Sequence, residues 1–309
     1  MRITTFSVYQ NSINNLQQRQ RDLATSQEQM TSGKRVSRVS DDPAAAARAE
    51  RALAAMSRSD ANQRALDASR SAMQQSESAL GEAGDLLQTA RETIMKAGNP
   101  SYTDAEREML VLSLRNVRDQ LLTVANRADG VGTYLFGGQG SATPPFVDGA
   151  TGVQYEGSPG QTQVSASQDM PLSVDGRNAF LEADNPVAGG PVLSTFDVLD
   201  RVINELATPG RGDVAVAQTV HDGLRDVDAV SNHLLVWRAR TGETLNQADS
   251  LELRISESKL GAQVERSNAE DLDMVQAISN FENQQTGYDA ALRAYSVVQR
   301  MSLFNYISG

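Results

Sequence analysis

Apolar residues recur at alternating spacings of three and four along most of the chain, the period of a helix that buries one stripe. At the N-terminus Phe6, Tyr9, Ile13, Leu16, Leu23 and Met30 keep this spacing, with Gln20 and Gln27 in the two remaining seam positions. Leu66, Met73, Leu80, Leu87 and Ile94 recur every seven residues, and Ser69, Ser76, Ala83, Ala90 and Ala97 stand three positions after each. A third run comprises Leu110, Leu114, Val117, Leu121, Val124, Ala128, Val131 and Leu135. Near the C-terminus Met274, Ile278, Phe281, Tyr288, Leu292 and Tyr295 form a fourth, with Gln285 in its one polar slot. Four heptad segments predict long helices packed at shallow angles, as in coiled coils and bundles.

Glycine and proline divide the chain. Gly33 is the only glycine before Gly81, whereas the stretch from Gly130 to Pro191 holds 12 of the 23 glycines and 6 of the 9 prolines. Long helices cannot persist at that density. Within it Val153 to Glu156, Thr162 to Ser165 and Leu172 to Val174 alternate or nearly alternate apolar and polar residues, which predicts a small β insert. Asp42 before Pro43 and an alanine run reads as an N-cap with proline in the first turn. Gly98, Asn99 and Pro100 end that helix. Thr103 or Asp104 caps the next, which is expected to run to about Gly130. Ser194 or Thr195 caps a short helix closed by Pro209 and Gly210. No proline follows Asp213, so almost 100 residues can be helical.

Helical ends around a central β insert predict a mainly α fold, an antiparallel helical rod whose long helices return alongside one another. The expected division is residues 1–40 with 270–309 as paired terminal arms, 41–140 with 192–269 as the helical rod, and 141–191 as a β domain. Gly137, Gly138 and Gly140 read as a hinge between rod and insert. The arms carry opposite charge. Residues 1–38 hold six basic and two acidic side chains, and residues 270–309 hold two basic and five acidic. Their seams, however, are thin. A helix pair with glutamine at several seam positions buries little area at roughly 25 cal/mol per Å2, against an ordering cost of about 1–2 kcal/mol per residue. The arms alone are expected to be marginal, and neighbouring copies can supply the missing surface. The heptads alone fit a monomeric bundle as well as a polymer.

Composition narrows the chemistry. The 309 residues include no cysteine and carry a formal net charge of −11. A chain without cysteine has no disulfide scaffold, no thiolate metal site and no thiol nucleophile. An acidic chain with dispersed basic residues is a poor nucleic-acid or anionic-lipid binder. No apolar run reaches the length of a membrane span, and the first 30 residues lack a signal-peptide pattern, so secretion by a route without a cleaved signal is expected. His221 and His233 lie 12 positions apart and read as ordinary helix residues. No HExxH, Walker or GxSxG motif occurs, so neither a cofactor nor an enzyme activity is expected. Arg211, Gly212 and Asp213 read as a turn before a helix in preference to an adhesion tripeptide. Trp237 is expected in a core or a subunit contact.

Thr31-Ser32-Gly33-Lys34-Arg35-Val36, followed by Ser40-Asp41-Asp42-Pro43-Ala44, resembles the N-terminal block of the bacterial flagellin family. The opening Met1 to Thr5, residues 129–138, Pro144-Pro145-Phe146 and the segment from Ala277 to Gly309 are similar to the branch of that family found at the hook-filament junction. The resemblance implies an extracellular flagellar subunit, exported unfolded by the flagellar type III apparatus with a chaperone on the C-terminal arm. It implies terminal arms that are disordered in the monomer and become a coiled-coil layer on assembly, and an outward-facing β domain. It further implies self-association in a ring between the first hook-associated protein and the flagellin filament. A short flagellin that forms the filament itself stays open, as does an adhesin-like module carried by the insert.

Overall fold

In the structure, a computed structural model, the described backbone covers residues 5–130, 132–138, 143–150, 152–158, 161–165 and 168–307. The side chains of residues 5–9, 161–165, 168 and 298–307 lie outside the description. The elements are α1 (Thr5–Ser32), α2 (Pro43–Ala97), α3 (Asp104–Ala125), β1 (Phe146–Gly149), β2 (Gly152–Tyr155), β3 (Gln161–Ser165), β4 (Gln168–Pro171), α4 (Gly176–Leu181), α5 (Thr195–Ala207), α6 (Asp213–Glu270) and α7 (Met274–Ile307). The strands make two antiparallel hairpins, β1 with β2 and β3 with β4. Phe146 pairs with Tyr155 in the first, and Thr162 with Met170 in the second. The chain divides into two compact units, residues 1–59 with 257–309, and residues 60–256. Both boundaries fall inside helices, α2 and α6. The segments 41–140, 141–191 and 192–269, expected as a rod and a separate β domain, therefore contribute jointly to the second unit.

That unit is built on the second heptad run. Leu66, Met73, Leu80, Leu87 and Ile94 are buried, and so is each of the small residues three positions on. The large residues fill space and the small ones let neighbours approach. The two serines in the small column are satisfied: the Ser76 hydroxyl donates to the Ala72 carbonyl at 2.8 Å, and the Ser69 hydroxyl to the Pro171 carbonyl at 2.6 Å. Between α2 and α6, Arg91 pairs with Asp228 at 2.7 Å and Glu77 with Arg238 at 2.6 Å. The pairing order shows that these helices run antiparallel.

Thr103 starts α3 with a reciprocal capping box, accepting from the Glu106 N–H while the Glu106 carboxylate accepts from the Thr103 N–H at 2.8 Å. Ser194 caps α5, whose Phe196, Leu199, Val202, Ile203 and Leu206 are all buried. α5 packs on α3, and the insert closes the same core. Phe146 of β1 lies 5.5 Å from Phe180 of α4 and 6.0 Å from Phe196 of α5, ring centre to ring centre. A second cluster gathers Met170 of β4 with Leu66, Ala248, Leu251 and Ile255. The β segment thus shares its hydrophobic interior with the helices at two places.

Three boundaries and two elements differ from the sequence expectation. α3 stops at Ala125 because the Asn126 side chain takes over the chain's hydrogen bonds, donating to the Phe146 carbonyl at 2.8 Å and accepting from its N–H at 2.9 Å. Leu135, expected on the α3 heptad, is buried from a turn in place of a helix, and Val131 lies outside the described residues. Leu172 to Val174 is not a strand; β4 ends at Pro171, and the Val174 N–H instead donates to the Leu135 carbonyl at 3.2 Å. β1 and the six-residue α4 were not expected. The long C-terminal helix is broken at Asp271 to Asp273, giving α6 and α7.

Candidate assembly surface

α1 contains no glycine or proline, and its six glutamines, a good helix former, are its commonest residue. It ends where Gly33 takes a left-handed conformation, φ +68°, the usual residue for that position past a helix C-terminus. α7 starts on Asp273, whose carboxylate accepts from the Val275 and Gln276 N–H groups at 3.0 and 3.2 Å. α1 and α7 pack together and run antiparallel: the Ser26 hydroxyl donates to the Gln284 side-chain oxygen at 2.6 Å, and Arg19 lies against Gly287 further along.

The seam between them is shifted from the expected one. Leu16, Leu23 and Met30 of α1 and Phe281, Tyr288 and Tyr295 of α7 are half-buried along it, with Ile13 half-buried at its flank. The polar members facing α7 are Ser26 and Arg19; the expected Gln20 and Gln27 are exposed. On α7 the positions between the aromatic residues are filled by Ala277, Gln284 and Ala291, all half-buried. Met274, Ile278 and Leu292, expected in the seam, are 43%, 44% and 39% exposed. The side chains of Phe6 and Tyr9 lie outside the described residues. A cleft of about 630 Å3 opens beside the pair, lined by Leu16, Arg19, Asp22, Ala291, Ala294 and Tyr295 among others.

The motif residues meet at the base of the two arms. Backbone bonds run from the Arg35 N–H to the Glu270 carbonyl at 2.7 Å and from the Leu272 N–H to the Gly33 carbonyl at 3.0 Å. The Lys34 ammonium pairs with Glu270 at 3.3 Å, and the Arg35 guanidinium donates to the Ala269 carbonyl at 2.8 Å and to Asp42 at 3.3 Å. Asp42 caps α2 through the Ala45 N–H at 2.9 Å, with Pro43 as the first helical residue. Its carboxyl is held below the ordinary range first by that N–H and then by Arg35. Asp41 accepts from the Arg38 and Ser37 N–H groups, and the Arg38 bond is the main reason that its carboxyl is also lowered. The Ser32 hydroxyl folds back onto the Gln29 carbonyl.

Elsewhere, of the residues singled out in the sequence, His233 and Trp237 meet and the others do not converge. His221 is exposed beside Asp222, whereas His233 has its ring Nε2 at 2.7 Å from the Asn178 carbonyl oxygen and 3.0 Å from the Trp237 indole nitrogen. Arg211 binds Glu205 and Thr219. Gly137 and Gly138 are buried; the Gly137 carbonyl accepts from the Ser158 N–H at 2.9 Å, and Gly140 lies outside the described residues. Among the described residues no group of three acidic, histidine or cysteine side chains could hold a metal, and no helix is long and apolar enough to cross a membrane.

Residues 3–141 match the family model for the N-terminal helical region of bacterial flagellin. Flagellar hook-associated protein 3 of Salmonella typhimurium is 31% identical over 98% of this chain and 99% of its own length. The chain belongs to the flagellar hook-associated protein 3 family. Two solved structures share the fold of this family: a putative flagellar hook-associated protein of Vibrio parahaemolyticus (TM-score 0.65, 20% identity, 75% of this chain and 100% of that one) and the flagellar junction protein of Legionella pneumophila (TM-score 0.58, 20% identity, 72% of this chain and 100% of that one). Within this family member, sequence reasoning did not find Asp273 as the α7 cap, nor Ser26, Gln284 and Arg19 in the arm seam. Only Asp273 carried a signal, a short polar residue immediately before the periodic run that starts at Met274, with Gln276 three positions on.

Proposed function

We propose that this chain is a structural subunit of the bacterial flagellum that joins hook to filament, and that α1 and α7 are the surface through which copies dock on one another. One observation supports the docking reading above others. Among the described side chains of α1 and α7 none is buried, so the seam of the pair is unfinished by itself. Isolated helices are marginal without a packed face. A second apolar column, Met274, Ile278 and Leu292, stands beside the α1 contact and gives a neighbouring copy a face to cover. The first hook-associated protein lies on one side of such a ring and flagellin on the other. Export through the flagellar apparatus, with a chaperone on the C-terminal arm, accounts for how a thinly packed end reaches its site.

The reading is tested in the full chain with Ile278→Asp and Leu292→Asp together. The substituted chain should be secreted but missing from purified flagella, with flagellin shed into the medium. A labelled variant found at normal density in a band between hook and filament would refute it.

A further inference from the structure

The Nε2 atom of His233 faces two partners that require opposite states of it. It stands 2.7 Å from the carbonyl oxygen of Asn178, in α4, and 3.0 Å from the indole nitrogen of Trp237, one turn further along α6. A carbonyl only accepts a hydrogen bond and an indole N–H only donates one. Nε2 can therefore bond to the first when it carries a proton and to the second when it carries a lone pair. One nitrogen cannot do both. His233 and Trp237 are half-buried, and among the described residues the indole has no other acceptor. The carbonyl has a second lone pair and can turn to another donor. The neutral ring accordingly serves the indole through an unprotonated Nε2, whereas the imidazolium, protonated at both nitrogens, must donate to Asn178.

We infer that His233 is a proton-operated latch between the insert and the long helix α6. Proton uptake fastens α4 to α6 through a charge-assisted bond and releases the Trp237 indole; proton loss does the reverse. α4 also carries Phe180, fully buried against Phe136 and Phe146, so a change in how α4 is held reaches the core that insert and helices share. The charged groups on the elements that meet here are engaged with other partners. Around α4, Asp175 accepts from the Asn178 N–H at 3.3 Å, and Arg177 lies 4.0 Å from Glu182. On α6, Asp226 is held by Arg225 and by Arg201 of α5, and Arg238 by Glu77 of α2. The Arg240 guanidinium lies 4.9 Å from the centre of the Trp237 ring, where it holds the ring by its face and leaves the N–H to His233.

The chain has one tryptophan and two histidines, so a single indole N–H signal in the magnetic resonance spectrum reports on the latch. In the isotope-labelled full-length chain before assembly, that proton signal should move upfield as pH falls from about 8 to about 5, the range in which histidine gains its charge. The Asn178 carbonyl carbon should move in the same step. His221→Gln should leave both changes in place. His233→Gln should abolish both, because glutamine has its donor and its acceptor on separate atoms and can serve carbonyl and indole together at any pH. Should that variant not fold, the unsubstituted chain still decides, since its own His233 ring nitrogens must titrate with the same midpoint as the indole. An indole signal that stays fixed across the range overturns the proposal. So does movement that survives in His233→Gln, that follows a different midpoint from the His233 ring, or that is not matched at the Asn178 carbonyl.

Discussion

At Gly176 the structure leaves no room for a side chain. A Cβ there would stand 2.6 Å from the Phe136 carbonyl oxygen and 2.9 Å from the Phe146 ring. Backbone cannot yield as a flexible side chain does, so Gly176→Ala should destabilise the unit of residues 60–256 by about 1–3 kcal/mol, the range for overpacked cores, measured by urea denaturation. Arg118 supplies the second case. Its guanidinium reaches Asp200 on α5 at 3.0 and 3.1 Å and Asp148 on β1 at 2.9 Å, and its own side chain is 11% exposed. The hydrogen bonds from Arg118 hold the Asp148 carboxyl below its ordinary value. A lowered folded value means that the stabilisation is complete above the unfolded value, about 3.9, and is lost as pH falls through the folded one. Asp148→Asn should therefore be less stable than the unsubstituted chain at neutral pH, with the gap closing as pH falls below 4; a gap that stays constant with pH would show that the ion pair is not its source. Nothing in the local sequence marks either residue, because the partners of Arg118 and of Gly176 come from distant segments.

Among elements, α2 was legible in full and the arms only in part, for one physical reason. In α2 the large and small columns both point into a core, so every heptad position is buried as the periodicity predicts. In α1 and α7 only one neighbour is present, and the apolar stripe is wider than the contact. Pattern alone assigns Ile278 and Leu292 to the seam with Phe281 and Tyr288; packing gives the contact to the aromatic residues, Ala277, Gln284 and Ala291, and leaves the others outside. The two kinds of heptad residue should respond differently to truncation. Leu80→Ala should cost about 2–5 kcal/mol, as for other fully buried leucines, whereas Ile278→Ala should stay within about 0.5 kcal/mol in the unassembled chain. Equal losses in parallel denaturation curves would mean that Ile278 is covered within a single copy. The insert was legible as β structure: Val153 to Glu156 and Thr162 to Ser165 fall on β2 and β3, whereas Leu172 to Val174 is not a strand because tertiary contacts such as the Val174 N–H bond to the Leu135 carbonyl take its place.

For the whole molecule, the uneven distribution of core decides what each unit can do. Among the described residues of the first unit, only Val36, Ala45, Ala49, Ala52, Ser59 and Ala269 are buried, and five of the six are alanine or serine. Every buried residue larger than valine lies between Leu66 and Ile255. At roughly 25 cal/mol per Å2 of apolar surface, small buried residues offset little of the entropy of ordering two long helices. The second unit has phenylalanine, leucine and isoleucine to spend on its own stability. A chain of residues 60–256 should consequently unfold cooperatively, with a free energy within about 1 kcal/mol of the same transition in the full chain, since distant and independent sites add, and should sediment as a monomer. Restoring residues 1–59 and 257–309 should add self-association at high concentration and little to the main transition. If the shortened chain is unfolded instead, the second unit depends on the arms, and the arms are then part of the fold and not a surface held ready for a neighbour.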